Sequence, residues 1–480
     1  MGSVAASRTS VVVAALALGA LVAFWDLGTA PLDDWDEGHH AKVALDMIAS
    51  GEWLVYAPDG EVEPWNTKPP LMFYALIGAF RTFGPTEFAA RLLPAVSFVL
   101  LVAATAAFVH RVLSPGAAWM TLWLMATSRP FLFEHFARDG TVDAPLALCL
   151  SLAMFALWLR GGRAGLAFVV PFAVALLAKG MAALQILPAV VVWAAWNRDR
   201  GLRWVLLVLL ACLPVAVWVT ARELTAPGFL ADMVRNDLVG RATQMVGAPR
   251  AHAWLYVDQW IRAFWRIATG VLILAAAGRR SWTLDTAIHD PAERGRLLAF
   301  LASWWLLPLV LFSLMQTKHE WYALPSYVPA YILAGWLLAA GLMALHGRVP
   351  SRYRTAVVGG VGVALLAFVS GKTLSTLLKH HPVAARTQRV ALERWLAVTS
   401  RACQPPCEIG LFRAYEQQAA RFYLTRAGLA YRGFDAWSLP VTSRPLLAKD
   451  GSAAELRRVL PSVRPVAEFP ALSLTLVELP

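Results

Sequence analysis

Charge is scarce in this chain. Only 15% of its 480 residues are Asp, Glu, Lys or Arg, where a soluble globular protein carries roughly 25%. That shortage excludes an ordinary soluble domain. The 58% hydrophobic content and mean hydropathy of +0.55 point to a membrane protein instead. Cysteine is also scarce, and the four present show no zinc-ligand spacing. Cys149 and Cys212 lie inside apolar runs and read as core residues. Cys403 and Cys407 flank Gln-Pro-Pro and can close a disulfide in an oxidising compartment; two free thiols are the alternative. Acids are fewer than bases, 31 against 43, for a net charge of +12. A nucleic-acid partner would need a basic face on a soluble domain. Here the Arg residues fall in short loops between apolar runs, so no nucleic acid is expected. Ionisable residues are nearly missing from the middle of those runs. That counts against a polytopic transporter or lipid flippase, the main alternative function, which would place them there. A receptor sensing through residues 372–480 is a third reading.

What is present is a succession of membrane-length segments. The first runs from Val4 to Trp25 and is expected as a retained helix; Gly28-Thr29-Ala30 makes a cleaved signal peptide the alternative. Further spans are expected at 89–109, 116–135, 142–160, 164–178, 181–197, 203–221, 255–277, 297–315, 323–345 and 354–371, about eleven in all. Twenty-one Trp residues fit the water–lipid interfaces of such a protein. Alternate short loops carry Arg111; Arg160 and Arg163; Arg198, Arg200 and Arg203; Arg279, Arg280, Arg294 and Arg296; and Arg348, Arg352 and Arg354. These loops should face the cytoplasm. Residues 26–88 and everything after Lys372 then lie on the outer, periplasmic face of a plasma (inner) membrane.

The few acids are not spread evenly. Asp33, Asp34, Asp36 and Glu37 crowd directly after the first apolar run. Residues 36–50 read as an amphipathic helix, with Ala41, Ala44, Leu45 and Ile48 on one face. Its N-terminus favours Asp36 and Glu37 through the helix dipole. Lys68-Pro69-Pro70 opens a second helix over residues 71–83. Both are expected to lie on the membrane surface. Residues 372–480 mix helical and strand patterns and read as a small α/β domain. Helices are expected at Val383–Ser400 and Tyr415–Leu424, and strands at Glu408–Phe412, Pro445–Lys449 and Leu472–Leu479.

The expected outer face collects Asp36, Glu37, Lys68, Asp143, Lys179, Arg241, Lys318, His319 and Tyr322. Charges at a membrane face are ordinary, and each alone is a weak signal. Together, cations and a tyrosine hydroxyl suit a phosphate. Asp34-Trp35-Asp36 also forms Asp-x-Asp, a pair that holds a metal and a nucleotide diphosphate in soluble sugar transferases. A nucleotide sugar is not expected outside the cytoplasm, so a lipid-carried phosphate sugar is the sensible donor.

Several of these pieces run in a recognisable order. They are Asp36-Glu37, Ala49-Ser50-Gly51-Glu52-Trp53, Lys68-Pro69-Pro70-Leu71, Glu87-Phe88-Ala89-Ala90-Arg91-Leu92, Arg138 to Leu146, Ala178-Lys179-Gly180 and Lys318 to Pro325. The chain thereby resembles the GT-C membrane glycosyltransferases over about residues 10–340. The lipid A aminoarabinose transferases, the protein O-mannosyltransferases and the galacturonosyl transferases are the nearest branches. The resemblance implies a mostly α, polytopic fold, with a transmembrane part over 1–371 that includes the outer catalytic loop 26–88, and a soluble α/β part over 372–480. It implies transfer of a sugar, hexosyl or pentosyl, from a polyprenyl-phosphate donor to a lipid, glycan or protein acceptor. Asp36 takes the place of the essential first-loop carboxylate, with Glu37 beside it and Asp143 as a second carboxylate. Lys68, Arg241 and Tyr322 take the donor-phosphate roles, and Lys318 joins them as a cation.

The departures concern metal and substrate. The aminoarabinose branch has Arg-Tyr where this chain has His39-His40, so those histidines and His319 are candidate substrate contacts. It places a Glu and a His for zinc where this chain has Thr67 and Asn236. That zinc site is therefore expected to be absent, and a divalent cation elsewhere is the one cofactor left open. Outside the resemblance, Asp258, Arg262 and Arg266 share a helix face. A plain Asp–Arg pair is the simple reading; Arg262 lining a substrate cavity is the functional one.

Overall fold

The structure is a computed structural model that describes residues 2–60, 62–63, 66–196, 201–244, 252, 254–277, 288, 290–403, 407–413, 417–434, 445–449, 455–456, 458 and 464–478. Trp65, Arg198, Arg200, Arg279, Arg280, Tyr415 and Leu479, named above, lie outside them. The chain forms two compact units. One comprises Met1–Trp25, Pro64–Leu71 and Leu93–Ser375; the other comprises Asp26–Glu63, Met72–Leu92 and Thr376–Pro480. The partition is not linear: the first loop, expected with the membrane part, is built into one body with the C-terminal residues.

The first unit is helical. Among the described residues, eight helical stretches of the chain are long and apolar enough to cross a membrane: Glu87–Val112, Asp143–Arg160, Leu166–Trp196, Arg203–Thr225, Leu255–Ala277, Pro291–Leu314, Glu320–Arg348 and Ser351–Ala402. Helices suit that setting because they satisfy every backbone group internally. Two departures from the expected spans have identifiable reasons. Residues 116–135 do not make one span: the helix Pro115–Ala126 stops, and Ser128 caps a new short helix, Arg129–Phe133, with Pro130 in its first turn. The two spans expected at 164–178 and 181–197 form one apolar stretch, with Gly180 at φ 52° and a 3-10 segment Gly180–Ile186 inside it. The first run is helical over Gly2–Phe24, as expected. Ser114 before Pro115 and Asp290 before Pro291 each accept from a backbone N–H in the first turn, so these two starts are written locally. Close packing uses a small residue: a Cβ on Gly335 would stand 2.7 Å from the backbone nitrogen of Thr121.

The second unit is α/β. Its sheet comprises β1 (Ile409–Phe412), β2 (Tyr431–Phe434), β3 (Pro445–Lys449), β4 (Arg464–Phe469) and β5 (Leu474–Glu478), in the order β2-β1-β3-β5-β4. β1 runs parallel to β2 and β3, and β5 runs antiparallel to β3 and β4. The three strands expected from sequence are the central ones, whose Ile409, Leu411, Leu446, Leu447 and Leu476 are fully buried. β2 and β4 were not anticipated. They are the edges, with polar residues and, in β4, Pro465, which an edge tolerates. The helices His381–Ala402 and Gln418–Arg426 accompany the sheet. Helix Asp36–Ser50 packs against the second of these so closely that a Cβ on Gly38 would stand 2.6 Å from the backbone nitrogen of Ala419. Cys403 and Cys407 are joined as a disulfide.

Candidate functional site

In the first unit, three stretches of chain converge on Arg241. It follows a π-helical turn, Val234–Gly240. Its main chain is held from the other side: Thr317 N–H donates to the Arg241 carbonyl at 3.0 Å, and Gln316 N–H to that of Ala242 at 3.2 Å. Its Nε donates to Asp237 Oδ1 at 3.0 Å. One of its terminal nitrogens, Nη1, donates to the hydroxyl of Tyr322. The other oxygen of Asp237 accepts from the hydroxyl of Thr67, the neighbour of Lys68. The structure thus joins two of the expected phosphate ligands, Arg241 and Tyr322, and ties the Lys68 segment to them through Asp237.

A second group in the same unit centres on Asp143, which is buried at the start of helix Asp143–Arg160. Lys179 Nζ donates to its Oδ1 at 2.5 Å, and His135 Nδ1 stands 3.5 Å from its Oδ2. The His135 ring stacks on Trp321 at 4.0 Å, and Trp321 stacks on His319 at 4.5 Å. His319 in turn meets Tyr322 edge-on at 5.1 Å, and Lys179 Nζ stands 5.8 Å from the Tyr322 ring centre. Asp143, Lys179, His319 and Tyr322 are therefore one cluster. His135 has a φ of 60°, a sparsely populated conformation for a residue with a side chain.

Two expected ligands do not join this cluster in the way expected. Lys318 Nζ donates to the carbonyl of Met315, the residue that ends helix Pro291–Leu314. Arg262 is exposed and pairs with Asp258 at 2.6 Å, the contact of the plain Asp–Arg pair. Sequence reasoning missed Asp237, His135 and Trp321. Asp237 had a signal, since an acid four residues before an arginine shares its helix face. His135 had none.

In the second unit, helix Asp36–Ser50 begins with Asp36 half-buried at its positive end. The residue before it, Trp35, holds φ 67° and is exposed. The neighbouring acids have other tasks. Asp34 Oδ1 accepts from the backbone N–H of Ala419 at 3.0 Å, so it docks the loop rather than standing in solvent. Glu37, expected beside Asp36 as catalytic, is buried in an ion pair. Its buried carboxylate accepts from Arg91 Nε at 2.7 Å, from Arg91 Nη2 at 2.8 Å and from Asp33 N–H at 2.8 Å. His39 is buried between Glu63, 3.2 Å from Nε2, and Gln418, 3.4 Å from Nδ1. His40 packs edge-on against Phe73.

The same helix anchors a charged network through Asp59. Lys42, Arg421 and the Tyr431 hydroxyl donate to it at 2.7, 2.6 and 2.7 Å. Burial pushes the Asp59 carboxyl up, but these hydrogen bonds outweigh it and bring it down to about 2. A depressed carboxylate stabilises the fold above its free value of 3.8 and stops doing so as the pH falls through about 2. Asp59→Asn is therefore expected to lower the melting temperature at pH 7. Its deficit against the parent should narrow below pH 3.8 and vanish near pH 2. An unchanged deficit at pH 2 would show that charge is not what Asp59 contributes.

Thr67 and Asn236 stand where zinc ligands were expected in the aminoarabinose branch. Thr67 and Asn236 offer a hydroxyl and a carboxamide, which zinc sites do not use, and the Thr67 hydroxyl is already given to Asp237. Among the described residues no group of three or more His, Cys, Asp or Glu is placed to hold a metal ion.

Residues 67–220 match the family described as dolichyl-phosphate-mannose-protein mannosyltransferase. The chain is 25% identical over 332 residues to undecaprenyl phosphate-alpha-4-amino-4-deoxy-L-arabinose arabinosyl transferase 1 of Pseudomonas fluorescens (strain Pf0-1), covering 65% of this chain and 55% of that one. It is 27% identical over 335 residues to the transferase 2 of the same description from Sodalis glossinidius (strain morsitans), covering 65% and 56%. The chain thus spans a little over half the length of these curated relatives. The fold is like that of ArnT from Cupriavidus metallidurans, solved with undecaprenyl phosphate bound, with a TM-score of 0.70, 18% identity and 98% coverage of both chains.

Proposed function

We propose that the chain is a membrane glycosyltransferase. It moves one sugar from a polyprenyl-phosphate carrier to a lipid, glycan or protein acceptor on the outer face of the inner membrane. The observation that carries this reading is the joining of Arg241 to Tyr322, with the Lys68 segment tied in through Asp237. Fixed cationic and hydroxyl donors of this kind suit a phosphate. The relatives named as undecaprenyl-phosphate arabinosyl transferases and the ArnT structure with undecaprenyl phosphate support a lipid-phosphate donor and favour a pentose as the sugar moved.

The chemistry is a displacement at the anomeric carbon. The bond from that carbon to the carrier phosphate breaks as the bond to the acceptor oxygen forms. Lys68, Arg241 and Tyr322 hold the phosphate and stabilise the charge it gains. Asp36 takes the proton of a hydroxyl acceptor as general base. A phosphate acceptor needs no base, and Asp36 then orients it. Asp143, held by Lys179 and His135, is a fixed carboxylate in this reading rather than a proton carrier.

The test is deletion of the protein, followed by mass spectrometry of envelope lipids, glycans and glycoproteins. One missing sugar mass, restored by the parent chain, is expected and identifies donor and acceptor class together. Unchanged glycans with a changed transport phenotype would favour a transporter or lipid flippase.

A further inference from the structure

We propose that Asp237, together with Thr67, is the positioning element that aims Arg241 at the donor phosphate and locks it to the Lys68 segment. The inference rests on the phosphate-binding reading above and deepens it.

Backbone pairing with Gln316 and Thr317 fixes where the main chain of Arg241 runs. It leaves the long side chain undetermined. Two side-chain contacts decide its direction: Nε on Asp237 and Nη1 on Tyr322. Because the guanidinium is a rigid plane, two anchors on different nitrogens set its orientation. The side chain keeps 33% exposure, so it is held without being sealed off. An arginine so held has already lost the rotamer freedom that phosphate binding would otherwise remove.

Asp237 divides its two oxygens between two parts of the chain. Oδ1 takes Arg241, four residues later on the same helical stretch, and Oδ2 takes Thr67, 170 residues away. Asn66 and Thr67 are both buried, so the segment that presents Lys68 is held at this point. The π-helical turn Val234–Gly240 that carries Asp237 is a geometry often found at functional sites. By charge alone, a carboxylate beside an anion site should repel the ligand. Its presence therefore needs a compensating role, and geometry supplies one.

That conflict of signs makes the proposal testable. The probe is a short-chain polyprenyl phosphate, titrated against the full-length chain in nanodiscs, with melting temperature followed in parallel. Arg241→Ala should abolish measurable binding. Asp237→Ala should weaken binding about 10–100-fold, the range for losing a hydrogen bond to a charged group, although it removes a negative charge. Thr67→Val should weaken binding in the same direction, and Thr67→Ser, which restores the hydroxyl, should bind like the parent. Equal or tighter binding by Asp237→Ala, with Arg241→Ala still defective, overturns the positioning role alone. Normal binding by Arg241→Ala overturns the phosphate reading itself. Loss of binding by Asp237→Ala that merely follows a lowered melting temperature, with Thr67→Val unaffected, also overturns the proposal.

Discussion

Asp36→Asn is expected to lower turnover by about 10²–10⁴-fold, the contribution of a positioned general base. Affinity for the polyprenyl-phosphate donor should survive, because the proposal assigns the phosphate to Lys68, Arg241 and Tyr322. The substitution keeps the shape of the side chain and removes its charge at the start of helix Asp36–Ser50. Two features of the structure single out Asp36 among the clustered acids. It alone is the first residue of the helix, and the exposed Trp35 before it holds an unfavourable backbone angle. Asp34→Asn serves as the control. Asp34 accepts one backbone hydrogen bond from Ala419, which an Asn oxygen can also accept. Turnover near that of the parent in Asp36→Asn, with none in Asp34→Asn, moves the base two residues upstream. Normal turnover in both removes the catalytic role from this loop.

Arg91→Ala should destabilise the second unit by about 3–5 kcal/mol, the usual result of removing one partner from a buried ion pair. Arg91 is buried and gives two hydrogen bonds to Glu37. It also donates to the backbone carbonyls of Leu27, Ala30 and Pro31. Its loss leaves a buried carboxylate without its cation and removes a donor from three carbonyls. Limited proteolysis should then cut within residues 26–63 at a temperature where the parent resists. Glu37→Gln provides the complement: stability should fall, while the folded fraction keeps near-parent turnover. If Glu37→Gln is as stable as the parent and inactive, Glu37 is catalytic after all.

The outcome for the clustered acids shows how far the sequence could be read. The motif Glu87 to Leu92 was legible as a family feature, but its task was not. In the structure Glu87 receives Arg389 at 3.0 Å, Arg426 at 3.3 Å and Tyr423 at 3.1 Å, while Arg91 takes Glu37. Both charges of the motif build the second unit. Arg262 had two readings, and its pairing with Asp258 within one helix was the local one. Thr67 was legible only as a missing ligand; that its hydroxyl meets Asp237 was not.

Membrane helices were determined by the sequence itself, because each must be apolar along its own length and satisfy its own backbone. Those conditions are met or failed within about twenty residues, so composition and hydrophobic runs suffice. Helix starts such as Ser114-Pro115 and Asp290-Pro291 are local in the same sense. Which partner each acid takes was decided only by tertiary structure. Glu37 is taken by an arginine 54 positions away, Asp34 by a backbone amide 385 away, and Asp237 by a threonine 170 away. A carboxylate's role depends on which charges and donors surround it in space, and no local pattern specifies partners at such separations.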